Sequence, residues 1–438
     1  MESTAAAPVV QTTVSDHIAL VTLSNPPVNA LSAAVRQGLQ KAITELNGNA
    51  DVHAIVITGS GSNFIAGADI REFGLPPQEP SLPDVCLQIE AADKLVIAAI
   101  HGAALGGGLE IALAAHYRVA VETAKLGLPE VALGLLPGAG GTQRTPRLIG
   151  AQAALDLMLS GRHAGAKEAL RMGLIDHIAT SNDIAAEGVA YARSLLADGA
   201  PVRRSGEQTA ALADRTAQQA ALDAARADVA KKKGLFSPAK IVDCVQAALD
   251  QPFAQGLATE RELFVQCLNS PQRAGLVHAF FAEREVTKSP ETQSSQPRPF
   301  QKVGVIGGGT MGAGISVSLL DAGLSVTMIE RDDAALALGQ SRVAKVYDGL
   351  IKKGRLSEEG KAAILARFHG STSYDALADA DIVIFSTPDR VGMTFAPQVV
   401  GAGLKMIDYS GDFLHSPAMT GDWGGGRTWL AEHGMSVE

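Results

Sequence analysis

The sequence predicts an α/β protein made of two parallel-sheet bodies joined by a helical stretch. Three observations carry this. Short β-rich runs alternate with helix-period runs from Val9 to about Ile178. Strand signals then stop until about Glu285. A second strand–glycine–helix pattern begins at Phe300.

Taken in order, His17–Leu23 and His53–Thr58 read as strands, with Leu31–Leu46 between them as a helix. Val96–Ile100 is an apolar run of buried-strand length, followed by a glycine turn and a helix starting near Gly107. From about Asn182 to Glu285 the chain is Ala-rich with charges at helical spacing, as in Leu212–Val229, and only helices are expected. Thr287–Pro299 is polar and Pro-rich, which suits a flexible linker. The expected boundaries are a first domain over 9–181, a helical region over 182–286, a linker over 287–299, a second α/β domain over 300–412 and a loosely ordered tail over 413–438.

The 438 residues suggest more than one domain. With 46 % hydrophobic, 19 % charged and only 4 % aromatic residues, the chain is globular and its core must be built of Ala, Val, Ile and Leu. A net charge of −9 argues against a nucleic-acid partner. Cys86, Cys244 and Cys267 are far apart with no metal-ligand spacing. They read as small buried hydrophobes in a reducing, cytoplasmic setting, with no metal expected. Neither a leader at the N-terminus nor a Ser-Lys-Leu address at the C-terminus is read. Leu95–Ala115 has the length of a membrane helix but contains His101 and Glu110, so no membrane insertion is expected.

Three segments of the first domain put glycine where backbone N–H groups can be exposed: Phe64–Ile70, Ala104–Ala115 and Leu128–Thr142. Two N–H groups converging on a carbonyl oxygen make an oxyanion hole, and a helix N-terminus favours negative charge. Glu110 interrupts an apolar run just after three glycines. A carboxylate there needs water, a partner or a task in a cleft.

Ile97–Glu110, with Pro129–Val131 and Pro137–Arg144, resembles the enoyl-CoA hydratase (crotonase) family. The resemblance implies a crotonase-type spiral of ββα units and a coenzyme A thioester substrate. Carried over by motif, the oxyanion hole falls on the N–H groups of Ala68 and Gly107. The two family carboxylates fall on Glu110 and Glu130, and Gly138 matches a glycine whose N–H lies near the catalytic water. Glu110 would then hold and activate water, and Glu130 would move the proton at Cα, the two titrating together. Asp69 is expected to fix its loop and His101 to fill the strand–loop junction. Relatives with only the second carboxylate tend to be isomerases, so the pair favours hydration, with a Δ3-Δ2-enoyl-CoA isomerase as an alternative.

Phe253–Arg284 is amphipathic and on its own reads as core-packing helix. In this position it resembles the linking helices of multifunctional fatty-acid β-oxidation enzymes, which fuse the hydratase to a 3-hydroxyacyl-CoA dehydrogenase. Lys302–Ile315 carries Gly307, Gly309 and Gly312 after a strand, Val303–Ile306, and opens a helix. A second strand, Ser325–Ile329, ends at Glu330, placed for a ribose 2′-hydroxyl. This is the Rossmann pattern, and the acid favours NAD over NADP.

The similarity to the dehydrogenase continues through Lys345–Arg355 to Ala380–Ile384 and then stops. The catalytic His and its Glu partner have no match, and His415–Pro417 has the wrong spacing. Asp381–Pro397 and Gly403–Phe413 resemble instead the nucleotide domains of N-acetyl-γ-glutamyl-phosphate and semialdehyde reductases. Ile382–Phe385 and Lys405–Tyr409 are still expected to extend one parallel sheet. The expected function is a 2-enoyl-CoA hydratase of multifunctional type, whose incomplete dehydrogenase half binds NAD. The other alternative is a non-catalytic acyl-CoA and dinucleotide binder. The oligomeric state is left open.

Overall fold

A computed structural model describes residues 8–409 except 70–71, 73–75, 77, 232–233, 287, 289–295, 297–298, 353 and 389–390. The expected linker at 287–299 lies largely outside the described residues, and the expected tail at 413–438 lies wholly outside them.

β1 (Val10–Ser15) and β2 (Ile18–Leu23) form an antiparallel hairpin. From β2 onward one pattern repeats: a strand in the main sheet, a short pairing in a second sheet, then a helix. β2 leads through Leu31 to α1 (Ala33–Gly48). β3 (Ala54–Gly59) leads through Ile65 and Ala68 to α2 (Leu82–Ala91). β4 (Leu95–Ile100) leads through β5 (Ala103–Leu105) to α3 (Gly107–Ala114). β6 (Tyr117–Ala120) leads through β7 (Lys125–Gly127) and a 3₁₀ turn, Glu130–Leu133, to α4 (Gly141–Ser160). β8 (His163–Gly165), α5 (Ala166–Met172), β9 (His177–Ile178) and α6 (Ile184–Ala197) complete the spiral.

The main sheet has the order β1-β2-β3-β4-β6-β9 and is parallel from β2 on. In the second layer Leu31 pairs with Ala68, Ile65 with Ala104 and β5 with β7, all in parallel. This is the ββα spiral that the resemblance implies. β3 and β4 are buried at every position, as centre strands of a sheet covered on both faces should be. α1 starts after Ser32, which caps it by accepting from the Val35 N–H, because Leu31 is held in the second sheet. The apolar run Leu95–Ala115 is divided among β4, β5 and α3. No helix among the described residues is long and apolar enough to cross a membrane.

α7 (Arg215–Lys231), α8 (Ser237–Asp250), α9 (Phe253–Leu268) and α10 (Pro271–Val286) follow. Ile241, Val242, Cys244, Val245, Leu263 and Cys267 belong to the same core as the strands of the spiral. The helical region therefore shares one compact unit with the spiral, Met1–Pro290. All three cysteines are buried and free.

The second unit spans Glu291–Glu438. Its elements are β10 (Lys302–Ile306), α11 (Thr310–Asp321), β11 (Ser325–Ile329), α12 (Asp333–Lys352), α13 (Glu358–Leu365), β12 (Phe368–Ser371), β13 (Ile382–Phe385), α14 (Val391–Gly401) and β14 (Lys405–Asp408). The sheet order is β12-β11-β10-β13-β14, all parallel. In chain order that is 3-2-1-4-5, the doubly wound nucleotide-binding arrangement. β13 and β14 extend the sheet as expected.

Candidate active site

The second-sheet pairing of Ile65 with Ala104 runs in parallel, so the same register carries Ala68 towards the level of Gly107. Gly67 lies close against this strand: a Cβ there would stand 3.5 Å from the Leu105 carbonyl oxygen. Gly107 is the first residue of α3, so its N–H has no carbonyl one turn back to bond. Neither the Ala68 nor the Gly107 N–H has a backbone acceptor among the described residues. Gly106, which caps α3, has a φ of 54°, and a Cβ on it would stand 3.2 Å from Glu130 Oε1. Glycine thus turns the chain here and lets a carboxylate lie against the backbone.

Glu110 is in the first turn of α3 and is buried at 3 % exposure. Its Oε1 accepts from the N–H groups of Ala139 (2.7 Å) and Gly141 (2.8 Å). Burial pushes its pKa up, while those two bonds and the charge of Arg144 pull against that rise. Glu130 opens the 3₁₀ turn. The residue as a whole is partly exposed, but its Oε2 is buried and has no hydrogen-bond partner among the described residues. Burial first, then the charge of Glu110, raises its pKa well above the carboxylate range. The structure therefore brings together the two carboxylates singled out in the sequence and makes their titrations interdependent.

Gly138 begins the turn into α4, and a Cβ there would overlap the ring of Phe264 on α9. His101 Nε2 bonds the Gly61 carbonyl at 3.1 Å, a loop-fixing contact in keeping with its expected filler role. Asp69 is buried at 5 % exposure.

Two features escape sequence reasoning. Glu260 on α9 is buried at 2 % exposure beside the Gly138–Thr142 turn. It falls on the buried stripe Gly256, Glu260, Leu263 and Cys267, where the helical pattern calls for an apolar residue. That mismatch is the signal that could have found it. Glu90 on α2 pairs with Arg144 of α4 at 2.7 Å, both nearly fully buried. It also accepts from Ser205 Oγ (2.9 Å) and the Gly206 N–H (2.7 Å). Burial would raise the pKa of Glu90, but Arg144 and these bonds outweigh it and hold the group ionised.

The profile of the enoyl-CoA hydratase/isomerase family matches residues 13–247. The chain belongs to that family. A second profile, the NAD-binding domain of 3-hydroxyacyl-CoA dehydrogenase, matches residues 302–393. Outside the family description, the chain is 41 % identical over 377 residues to the peroxisomal bifunctional enzyme of Danio rerio, covering 85 % of this chain and 51 % of that protein. It is 36 % identical over 389 residues to the peroxisomal fatty acid beta-oxidation multifunctional protein of Oryza sativa subsp. japonica, covering 86 % and 53 %. The chain spans about half the length of the curated relatives it matches. Among solved structures, it is 28 % identical to an enoyl-CoA hydratase from Bacillus anthracis, covering 63 % of this chain and 96 % of that one with a TM-score of 0.41. Glu110, Glu130 and Gly138 lie within the hydratase/isomerase match, whereas Glu260 lies beyond its end.

In the second unit Gly307 has a φ of 99°. A Cβ on Gly312 would overlap the Gly307 carbonyl oxygen, so the helix packs there only as glycine. Gly309 caps α11 and has open space on its Cβ side, where a pyrophosphate can approach. Glu330 follows β11, and its Oε1 accepts from the Gly308 N–H at 2.7 Å. The four expected cofactor residues thus converge at one strand–helix turn. Gly312→Ala is expected to abolish dinucleotide binding by titration calorimetry while leaving the first unit's activity unchanged. Retained binding would mean that the glycine loop is not the pyrophosphate site.

Proposed function

We propose that the first unit is a 2-enoyl-CoA hydratase, acting on a coenzyme A thioester. The observation that carries this is Glu130 Oε2, buried and unpartnered beside the ionisable Glu110, with proton affinity raised by burial. A buried carboxyl group with raised proton affinity and a free oxygen is suited to deliver a proton as a general acid. The N–H groups of Ala68 and Gly107 hold the thioester oxygen as negative charge develops on it. Glu110, its Oε1 already held by two N–H groups, keeps Oε2 for a water. That water adds through oxygen at Cβ and gives a proton to Glu110, while Glu130 delivers its proton to Cα. The thioester oxygen returns to a carbonyl, and one proton remains on the pair as before. Gly138 supplies an N–H near the water.

The test is hydration of crotonyl-CoA, followed by loss of the conjugated enoyl-thioester absorbance. Hydration abolished by Glu110→Gln and by Glu130→Gln supports the reading. Faster conversion of a 3-enoyl-CoA to its 2-enoyl isomer than hydration would assign an isomerase instead. Binding of acyl-CoA with neither reaction would assign a binder.

For the second unit the reading is NAD binding through Gly307, Gly309, Gly312 and Glu330, without hydride transfer by this chain alone. The glycine turn orients the pyrophosphate and Glu330 the adenosine ribose; the nicotinamide, when bound, would supply hydride chemistry. Reduction of NAD by 3-hydroxyacyl-CoA with this chain alone would overturn that reading.

A further inference from the structure

The turn that donates to Glu110 is held from two sides. The N–H groups of residues 139 to 142 alternate between two carboxylates. Ala139 and Gly141 donate to Glu110 Oε1. Gly140 donates to Glu260 Oε1 at 2.6 Å, and Thr142 donates its N–H to Glu260 Oε2 at 3.0 Å. The Thr142 hydroxyl also bonds Glu260 Oε2, while its oxygen accepts from Gln143 Nε2 at 3.1 Å. Because that oxygen already accepts from Gln143, its proton is free to point at Glu260. Each of these partners donates to Glu260, so both of its oxygens accept.

The rest of α9 is fitted to the same turn. Phe264 packs on Gly138, and Gly256 leaves room for the Gln143 side chain. The guanidinium groups of Arg144 and Arg147 both lie over the Phe253 ring, 5.0 and 5.2 Å from its centre. α9 lies outside the segment that matches the hydratase/isomerase family.

We propose that Glu260 is a positioning residue of the hydratase site: it clamps the Gly138–Thr142 turn so that two consecutive-but-one N–H groups stay aimed at Glu110. The proposal rests on the hydratase reading above. It also gives Glu260 an electrostatic role, because its charge adds to that of Glu110 in raising the proton affinity of Glu130. Burial and the charge of Glu110 push Glu260 itself up to about 8, against the pull of Thr142 and the Gly140 N–H. The other charged or titratable groups around this cluster are Arg144 of α4, Cys86 and Glu90 of α2 and Cys244 of α8.

The experiment compares the full chain with Glu260→Gln and Glu260→Asp. It reads kcat and KM for crotonyl-CoA hydration across pH, and hydrogen–deuterium exchange of the 138–144 segment. Glu260→Gln is expected to lower kcat about 10- to 100-fold with KM within about threefold, at or below the smallest loss expected for removing an acid–base group outright. Its exchange over 138–144 should rise. The alkaline limb of kcat/KM, where Glu130 loses its proton, should move to lower pH, because one negative neighbour is gone. A purely structural role would lower the folded fraction without moving that limb.

Glu260→Asp keeps the charge but draws it back by one methylene. It should lower kcat and raise exchange while leaving the limb in place, and it serves if the Gln variant fails to fold. Wild-type kinetics and exchange in either folded variant would overturn the proposal and leave the hydratase reading standing. An inactive wild-type chain would instead sink the hydratase reading, whatever the exchange of the turn.

Discussion

Glu130→Gln is expected to cut kcat for enoyl-CoA hydration by about 10²- to 10⁴-fold with little change in KM. The substitution keeps the shape of the side chain and removes only the transferable proton. Its signature is the pairing of that loss with undiminished stability. In the folded chain Glu130 is buried and lies within the field of Glu110. It therefore holds its proton more tightly folded than unfolded, so rising pH favours unfolding; an amide removes that linkage, and the thermal midpoint at pH 8 should hold or rise. For the native chain, kcat/KM should fall on the alkaline side as Glu130 loses the proton it must deliver. Glu110→Gln should cost a similar factor, but with a lower midpoint, because an amide presents an NH₂ group to the Ala139 and Gly141 N–H groups on one of its two rotamers. Hydration surviving within fivefold in the folded Glu130 variant would end the two-carboxylate mechanism.

Arg144→Met should be among the most damaging stability changes, at about 3–5 kcal/mol. Arg144 and Glu90 sit with side-chain exposures of 1 % and 6 %. Removing the cation leaves the buried Glu90 carboxylate, among the described residues, with Ser205 and Gly206 as its remaining partners. Arg144 also donates to the Ala139 carbonyl at 3.0 Å, so the turn under Glu110 loses a support. The double variant Arg144→Met, Glu90→Gln should recover part of the loss, since the unpaired charge is then gone. Urea denaturation of the three variants measures this. A single-variant loss under 1 kcal/mol would show that Glu90 finds another partner or a proton.

The parts of this protein that were legible in the sequence are those where physics leaves few options. Gly106, Gly307 and Gly312 stand where a Cβ would meet a carboxylate, where φ is positive or where a carbonyl blocks it, so their spacing survives as a readable pattern. Glu110 was legible because a carboxylate inside an apolar run demands an explanation. The strands β3, β4 and β13 were legible as unbroken apolar runs. Glu260 was not read, because the neighbouring charges Arg261 and Glu262 suggest a solvated face and mask its place on the buried stripe. Its partners Gly140 and Thr142 lie 120 and 118 residues away in sequence. Glu90 and Arg144 failed for the same reason: a long-range ion pair leaves no local period. The expectation of a helical region apart from the spiral also reflects this, since which helix face packs on α4 is settled only by tertiary contact.

The two-sided clamp on residues 139–142 has a consequence for how the protein is made. A nascent chain that ends at residue 250 already holds the segment matched by the family profile, both candidate catalytic carboxylates and every strand of the spiral. It lacks α9, and so leaves the Gly140 and Thr142 N–H groups without the acceptor that Glu260 provides. On the hydratase reading, the site is therefore complete only once residues 253–268 have emerged and docked.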